Sequence, residues 1–326
     1  MPPRAPRGGA RKAPATWERD WADLPADTIS CILHKLDHVE LLLGGVRAVC
    51  SSWRRAAREE PELWRRIDLR YLPAVLPFTR RANIMRAALR FSAGQCHTFS
   101  GAFTGGLIDD YLFLSLAKQA PSLKRLHLVG YNPISNGVSA NAIRNFPLLE
   151  ELQLVNCFGV EQMLQVVAKW CPCLKHFTLV EEICHYHRIK SNDLKAFAIA
   201  RMHGLRSLVL VGHDLSNQGL TTIIDNCPHL EYLKIRDCCD INMDSNLTAK
   251  CARILIDYYE YFPPPRPCRC CMYSIYWFTD DDDYDYDHND YHDLFLYSYL
   301  GDDIDAADFD EYERILDIKR MRRYLS

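Results

Sequence analysis

Pro121-Ser122-Leu123-Lys124-Arg125-Leu126-His127-Leu128, Pro147-Leu148-Leu149-Glu150-Glu151-Leu152-Gln153-Leu154 and Pro172-Cys173-Leu174-Lys175-His176-Phe177-Thr178-Leu179 follow one template. His203-Gly204-Leu205-Arg206-Ser207-Leu208-Val209-Leu210 and Pro228-His229-Leu230-Glu231-Tyr232-Leu233-Lys234-Ile235 repeat it. The equivalent residues Leu126, Leu152, Phe177, Leu208 and Leu233 stand 26, 25, 31 and 25 positions apart. Apolar residues two apart, such as Leu126 and Leu128, point to one side of a short strand. Residues 160–170 and 218–226 read as helices that return the chain. The proline at each strand start ends them, because it disfavours helical geometry in the residue before it. One such unit cannot cover its own apolar face, so stacked copies must share a core.

Period and spacing together are the leucine-rich-repeat pattern, whose last slot, an Asn or Cys, is filled by Cys157 and Cys238. Weaker copies precede the clear ones. Ile67-Asp68-Leu69 reads as a first strand, residues 81–91 as a helix and residues 97–100 as a degenerate strand. At the other end Leu247, Cys251, Ile254 and Leu255 form a helical stripe behind an Asp244-Ser245 cap, expected to close the solenoid. The 31-residue interval holds an insertion at 181–190, expected to loop out where the strand ends. Residues alternating with the leucines face outward, and Arg125, His127, Gln153, His176, Tyr232 and Lys234 are the candidates for binding a protein target.

Upstream, residues 21–64 read as a compact helical unit. Leu24-Pro25 precedes Ile29, Ile32, Leu33 and Leu36 at helical spacing, then residues 39–43 lead to a break at Gly44-Gly45. Val46, Val49, Cys50 and Trp53 line one face of a third helix, whose other face carries Arg47, Arg54, Arg55 and Arg58. Three helices of about 45 residues bury too little to be stable alone, and a partner covering their leftover apolar surface is the economical remedy.

Leu24-Pro25, Ile32-Leu33, Leu36, Val46, Val49-Cys50, Trp53-Arg54 and Leu63-Trp64 resemble the F-box, in order and spacing, over roughly residues 20–65. The resemblance implies docking on the Skp-family linker subunit of a cullin-RING ubiquitin ligase. Leu24, Pro25, Ile29, Ile32, Leu33, Val46, Val49, Cys50 and Trp53 would form or support that surface. It also implies a subunit with no catalytic residue and no cofactor, which holds an unknown protein substrate while other proteins transfer ubiquitin. The chain departs from the family at Asp27, where Glu is common, and at Gly44-Gly45, where Leu or Arg is commoner. That glycine pair supports the competing reading, a repeat scaffold outside any ligase whose first helices are only a cap.

The expected architecture is α/β: a three-helix F-box, then a solenoid of short parallel strands and helices, then a disordered acidic tail. The expected boundaries are 1–15 (basic arm), 16–65 (F-box), 66–262 (repeats with a terminal cap) and 263–326 (tail). Fifteen of the chain's 42 acids fall within residues 280–313, with no Lys or Arg among them, so the remainder is basic. No apolar run approaches the ~18 residues of a membrane span. Fourteen cysteines without a secretory signal read as reduced thiols, so the expected location is cytoplasmic, nuclear or both. No metal is expected. Cys268, Cys270 and Cys271 lack a second ligand pair, and Asp283, Asp285 and Asp287 are followed by His288 and Leu294 where an EF-hand needs Gly and Glu. No nucleic-acid partner is expected.

Overall fold

The structure, a computed structural model, describes residues 24–259 except 45, 74, 104–106, 134–135, 158, 182–192, 214, 237 and 239. The expected basic arm, nearly all of the insertion after Val180, the Cys268 group and the acidic tail lie outside the described residues.

Four short helices come first: α1 (Ala26–Leu33), α2 (His38–Leu43), α3 (Val46–Val49) and α4 (Ser51–Glu59). Asp37 and Glu40 start α2 by reciprocal capping, each side chain accepting the other's backbone N–H at 2.7 and 3.2 Å. Gly44 ends it, and a Cβ there would fall 2.4 Å from the Glu40 carbonyl oxygen. The single third helix expected from the sequence is two helices, because Cys50 is extended (φ −164°, ψ 177°). At the break the Ser52 hydroxyl lies 2.8 Å from Cys50 Sγ. A 3-10 turn, Pro61–Trp64, then buries Trp64 to 1% exposure. Its indole N–H donates to the Ala57 carbonyl at 2.8 Å, and its ring lies 5.5 Å from His38 and 5.2 Å from Phe91.

The repeats alternate β1 (Arg66–Leu69), α5 (Phe78–Phe91), β2 (Thr98–Ala102), α6 (Leu107–Gln119), β3 (Arg125–Val129), α7 (Asn136–Ile143) and β4 (Glu151–Val155). They continue through α8 (Glu161–Trp170), β5 (His176–Val180), α9 (Leu194–Ile199), β6 (Ser207–Val211), α10 (Asn217–Asn226) and β7 (Tyr232–Arg236). With β8 (Leu255–Tyr259), the strands of the described residues form one parallel sheet in chain order. Its register sets Ile67, Phe99, Leu126, Leu152, Phe177, Leu208 and Leu233 in one ladder, each no more than 1% exposed. Truncating one of those leucines to alanine would cost about 2–5 kcal/mol. Cys157 and Cys238 close their turns as buried thiols, with Cys157 Sγ 3.4 Å from the Val155 carbonyl and 3.5 Å from that of Leu128 in the preceding repeat. Burial pushes the Cys157 thiol up to about 11.

The C-terminal end departs from the expected helical cap. The helix α11 is brief (Ser245–Lys250), and a 3-10 turn (Cys251–Arg253) leads into an eighth strand, β8 (Leu255–Tyr259). Asp244 caps α11 as expected, accepting the Leu247 N–H at 2.7 Å. Leu255, however, opens the strand and is 70% exposed. The cause lies in Ile254-Leu255-Ile256-Asp257-Tyr258-Tyr259, whose β-branched and aromatic residues favour a pleated strand over a helix.

Candidate functional site

Two surfaces carry the candidate residues. In the first, Ile29, Leu33, Val46 and Trp53 are buried, so they hold the helices together and cannot themselves meet a partner. Leu24, Ile32 and Cys50 are half-buried, Pro25 is exposed and Val49 is 41% exposed. Glu60 fastens α1 to the end of α4: its carboxylate accepts the Ser30 hydroxyl at 2.7 Å and lies 2.8 Å from His34 Nε2. His38 joins this helical unit to the sheet, bonding the Leu63 carbonyl through Nε2 at 3.0 Å and the Asp68 N–H through Nδ1 at 3.4 Å. Desolvation holds the His38 imidazole below its ordinary value, against the opposing pull of the Leu63 carbonyl, Asp68 and Asp37.

The second surface is the strand-lined face of the solenoid, where the register makes three rows. At the strand starts Arg125, Glu151, His176, Ser207 and Tyr232 are neighbours, and next come His127, Gln153, Thr178, Val209 and Lys234. The strand ends carry four half-buried valines side by side, Val129, Val155, Val180 and Val211. An open hollow of about 310 Å³ is lined by Arg125, Glu150, Glu151, Gln153, His176, Thr178 and Ser207. Of the six target-binding candidates, Arg125, Gln153 and His176 line it and His127 borders it, while Tyr232 and Lys234 sit on β7, beyond β6.

Glu151 organises this face. Its carboxylate lies 3.0 Å from His127 Nε2 and 3.4 Å from Arg125 Nε, and it accepts the Gln153 amide N–H at 2.8 Å. The other imidazole nitrogen, His127 Nδ1, is 3.1 Å from the Ser100 hydroxyl. Serine, histidine and glutamate thus stand in line, but Ser100 is 3% exposed and its hydroxyl is engaged within the row, so no substrate carbonyl can approach it. Other charges pair across strands: Lys124 with Glu150 at 3.1 Å, Arg206 with Glu231 at 2.8 Å and Lys234 with Asp257 at 2.8 Å. Lys124 holds the Glu150 carboxyl below its usual range, and Lys234 and Asp257 each favour the other's charged form. The sequence reasoning missed Ser100, which lies in a degenerate repeat, and the valine row, although counting two residues past each outward position would have found it.

The described residues hold no cluster of three His, Cys, Asp or Glu able to bind a metal, and none of their helices is long and apolar enough to cross a membrane. The F-box-like family matches residues 21–70, and the family described as "FBD-associated F-box protein At5g56370, LRR repeats" matches residues 109–204. The chain is 35% identical over 246 residues to "Putative F-box/LRR-repeat protein 22" of Arabidopsis thaliana, covering 73% of this chain and 76% of that protein. It is 35% identical over 234 residues to "F-box protein SKIP19", covering 71% and 74%, and 35% identical over 237 residues to "Putative F-box/LRR-repeat protein 9", covering 69% and 90%, both from the same plant.

Proposed function

Because the chain belongs to the F-box/leucine-rich-repeat proteins, we propose that it is the substrate-recognition subunit of an SCF-type cullin-RING ubiquitin ligase. Residues Leu24, Pro25, Ile32, Val49 and Cys50 meet the Skp-family linker, and Ile29, Leu33, Val46 and Trp53 hold them in place from the core. The repeats bind a protein target, which enters the hollow between Arg125 and Ser207 and rests apolar side chains on the valine row. The subunit positions the target and performs no chemistry of its own. It works in the cytoplasm, the nucleus or both.

The observation that carries this reading is the join at His38. A recognition subunit must hold its target at a fixed place relative to the linker, and here one half-buried imidazole bonds α2 both to the turn before the first strand and to that strand itself. A linker interface of ordinary size buries on the order of 1,600 Å² in total. The test is co-expression of the full chain with a Skp-family linker and a cullin, followed by affinity capture and size-exclusion chromatography. A stoichiometric ternary complex is the expected result. A chain that elutes alone, correctly folded, would replace the ligase reading with that of a repeat scaffold.

A further inference from the structure

Every strand in the sheet is parallel to the next, so each helix must carry the chain back, and helix ends lie on the edge where strands begin. Along that edge the repeats place a cation at a recurring slot. Lys118, Arg144 and Lys169 each stand three residues before the proline that opens the next strand, and Arg201 follows α9 by two residues. All four are exposed. The row stops at α10, where the same slot holds Asp225, paired with Lys250 at 2.6 Å.

These cations differ from three of those on the strand-lined face. There Lys124, Arg125 and Arg206 each lie against a neighbouring glutamate. Among the described residues no carboxylate pairs with Lys118, Arg144, Lys169 or Arg201. The helix dipole makes a helix end a favourable place for a positive charge, which lets the fold carry them at no loss. It does not neutralise them, so their field points outward. Trp170, 40% exposed, sits within the row, with the Arg144 guanidinium carbon and Lys169 Nζ each 5.4 Å from its ring centroid.

We propose that this edge, from α6 to α9, is a docking site for an acidic segment of a partner protein, separate from the hollow and independent of the ligase reading. Spacing favours a peptide over nucleic acid. Packed helices lie about 8–10 Å apart, so the cations recur at that distance. An extended chain advances about 3.3 Å per residue and brings an acid to each cation when every third residue is acidic. DNA, with one charge per ~1.7 Å of duplex and per ~3.4 Å of each strand, would leave most of its phosphates unmet. Trp170 offers a flat apolar surface for the residues between the acids.

The test is fluorescence anisotropy on the full chain with a fluorescein-labelled (Glu-Ser-Gly)4 peptide. Its comparison probes are a peptide of the same composition with its glutamates contiguous and a dT12 oligonucleotide. The spaced peptide should bind best, and its binding should weaken as salt is raised. The variant K118E/R144E/K169E should weaken it about tenfold or more, and the triple glutamine variant by less. Asp225→Arg extends the row by one repeat and should tighten binding, a gain that misfolding could not produce. Unchanged affinity in the charge-reversed variant would overturn the proposal, as would tighter binding of dT12 or equal binding of the contiguous peptide.

Discussion

His38 Nδ1 accepts the backbone N–H of Asp68 at 3.4 Å, so the proton of the neutral imidazole must sit on Nε2, where it donates to the Leu63 carbonyl at 3.0 Å. One ring therefore satisfies a donor and an acceptor on opposite sides of the turn that leads from the helical unit into the sheet. Asp68 is itself gripped by Arg70, through Nε at 2.9 Å and Nη2 at 2.6 Å. Burial raises the Asp68 carboxyl, but the bonds from Arg70 outweigh it and the net shift is downward. The angle between the two parts of the protein is thus set by polar groups that must all be in the right protonation state.

Acid should loosen that join before it unfolds the repeats. Desolvation lowers the His38 value from 6.5, so the unfolded chain takes a proton that the folded chain refuses. Its contribution is complete above about pH 6.5 and fades as pH falls through the lowered folded value, because a proton on Nδ1 would face the Asp68 N–H. Thermal midpoints of the wild type should drop between pH 7 and pH 5.5 by more than those of His38→Gln, whose amide can donate and accept without titrating. Parallel curves would place the sensitivity elsewhere.

Linker capture should separate the exposed candidates from the buried ones. Val49 is 41% exposed, so Val49→Asp should reduce capture by at least about tenfold, near 1.4 kcal/mol or more, while the melting temperature moves little. Trp53 is 5% exposed, and Trp53→Ala should cost about 3–5 kcal/mol of stability. Its loss of capture would then follow from unfolding. Capture measured beside circular dichroism distinguishes the two, and a Val49→Asp variant that binds normally would remove that residue from the interface.

The solenoid was legible because its signal is redundant: Leu126, Leu152, Phe177, Leu208 and Leu233 say the same thing five times, and each proves fully buried or nearly so. Where the signal occurs once, neighbouring chemistry decided the outcome. The extended backbone at Cys50 broke a helix that Val46, Val49 and Trp53 suggested, and the strand preference of residues 254–259 overrode a helical stripe ending at Leu255. In the F-box region the helical spacing marked apolar residues but not their direction. An apolar residue at Ile29 or Val49 satisfies helical spacing equally well, and only the folded packing makes one core and the other surface. On the strand-lined face, alternation located the outward residues, yet it could not show that Glu151 gathers Arg125, His127 and Gln153 while Lys234 turns to Asp257.

Gly130 should tolerate no side chain. Its φ of +70° is a left-handed conformation, and a Cβ would stand 2.9 Å from the Phe103 carbonyl oxygen, which is backbone. Gly130→Ala therefore meets a conformational penalty and a clash together, and should destabilise the protein by about 1–3 kcal/mol. Urea unfolding measures this directly. A loss below about 0.5 kcal/mol would mean that β2 and β3 shift apart at little cost, contrary to the close packing of Phe103 on Tyr131, 5.4 Å between ring centroids.

Glu181 should dominate the acid side of repeat stability. Its carboxylate, 9% exposed, lies 3.3 Å from His213 Nδ1 and accepts a hydrogen bond from Lys195, while His213 Nε2 reaches the Leu179 carbonyl at 3.0 Å. Burial raises its carboxyl, but the hydrogen bond and charge of His213, with those of Lys195, pull it below 4.5. A carboxyl lowered in the folded state stabilises fully above its unfolded value, and that stability is lost as pH falls through the folded one. Glu181→Gln keeps the shape and removes the charge, leaving Lys195 with only the more distant carboxylate of Glu161, at 3.8 Å. At pH 7 the loss should be about 1–3 kcal/mol, less than for a fully broken buried pair because Lys195 is 21% exposed and keeps Glu161 nearby. Between pH 5 and pH 3 the wild-type urea midpoint should fall more steeply than that of the variant. If both fall together, the acid sensitivity belongs to other carboxylates, and Glu181 only fills space where β5 ends.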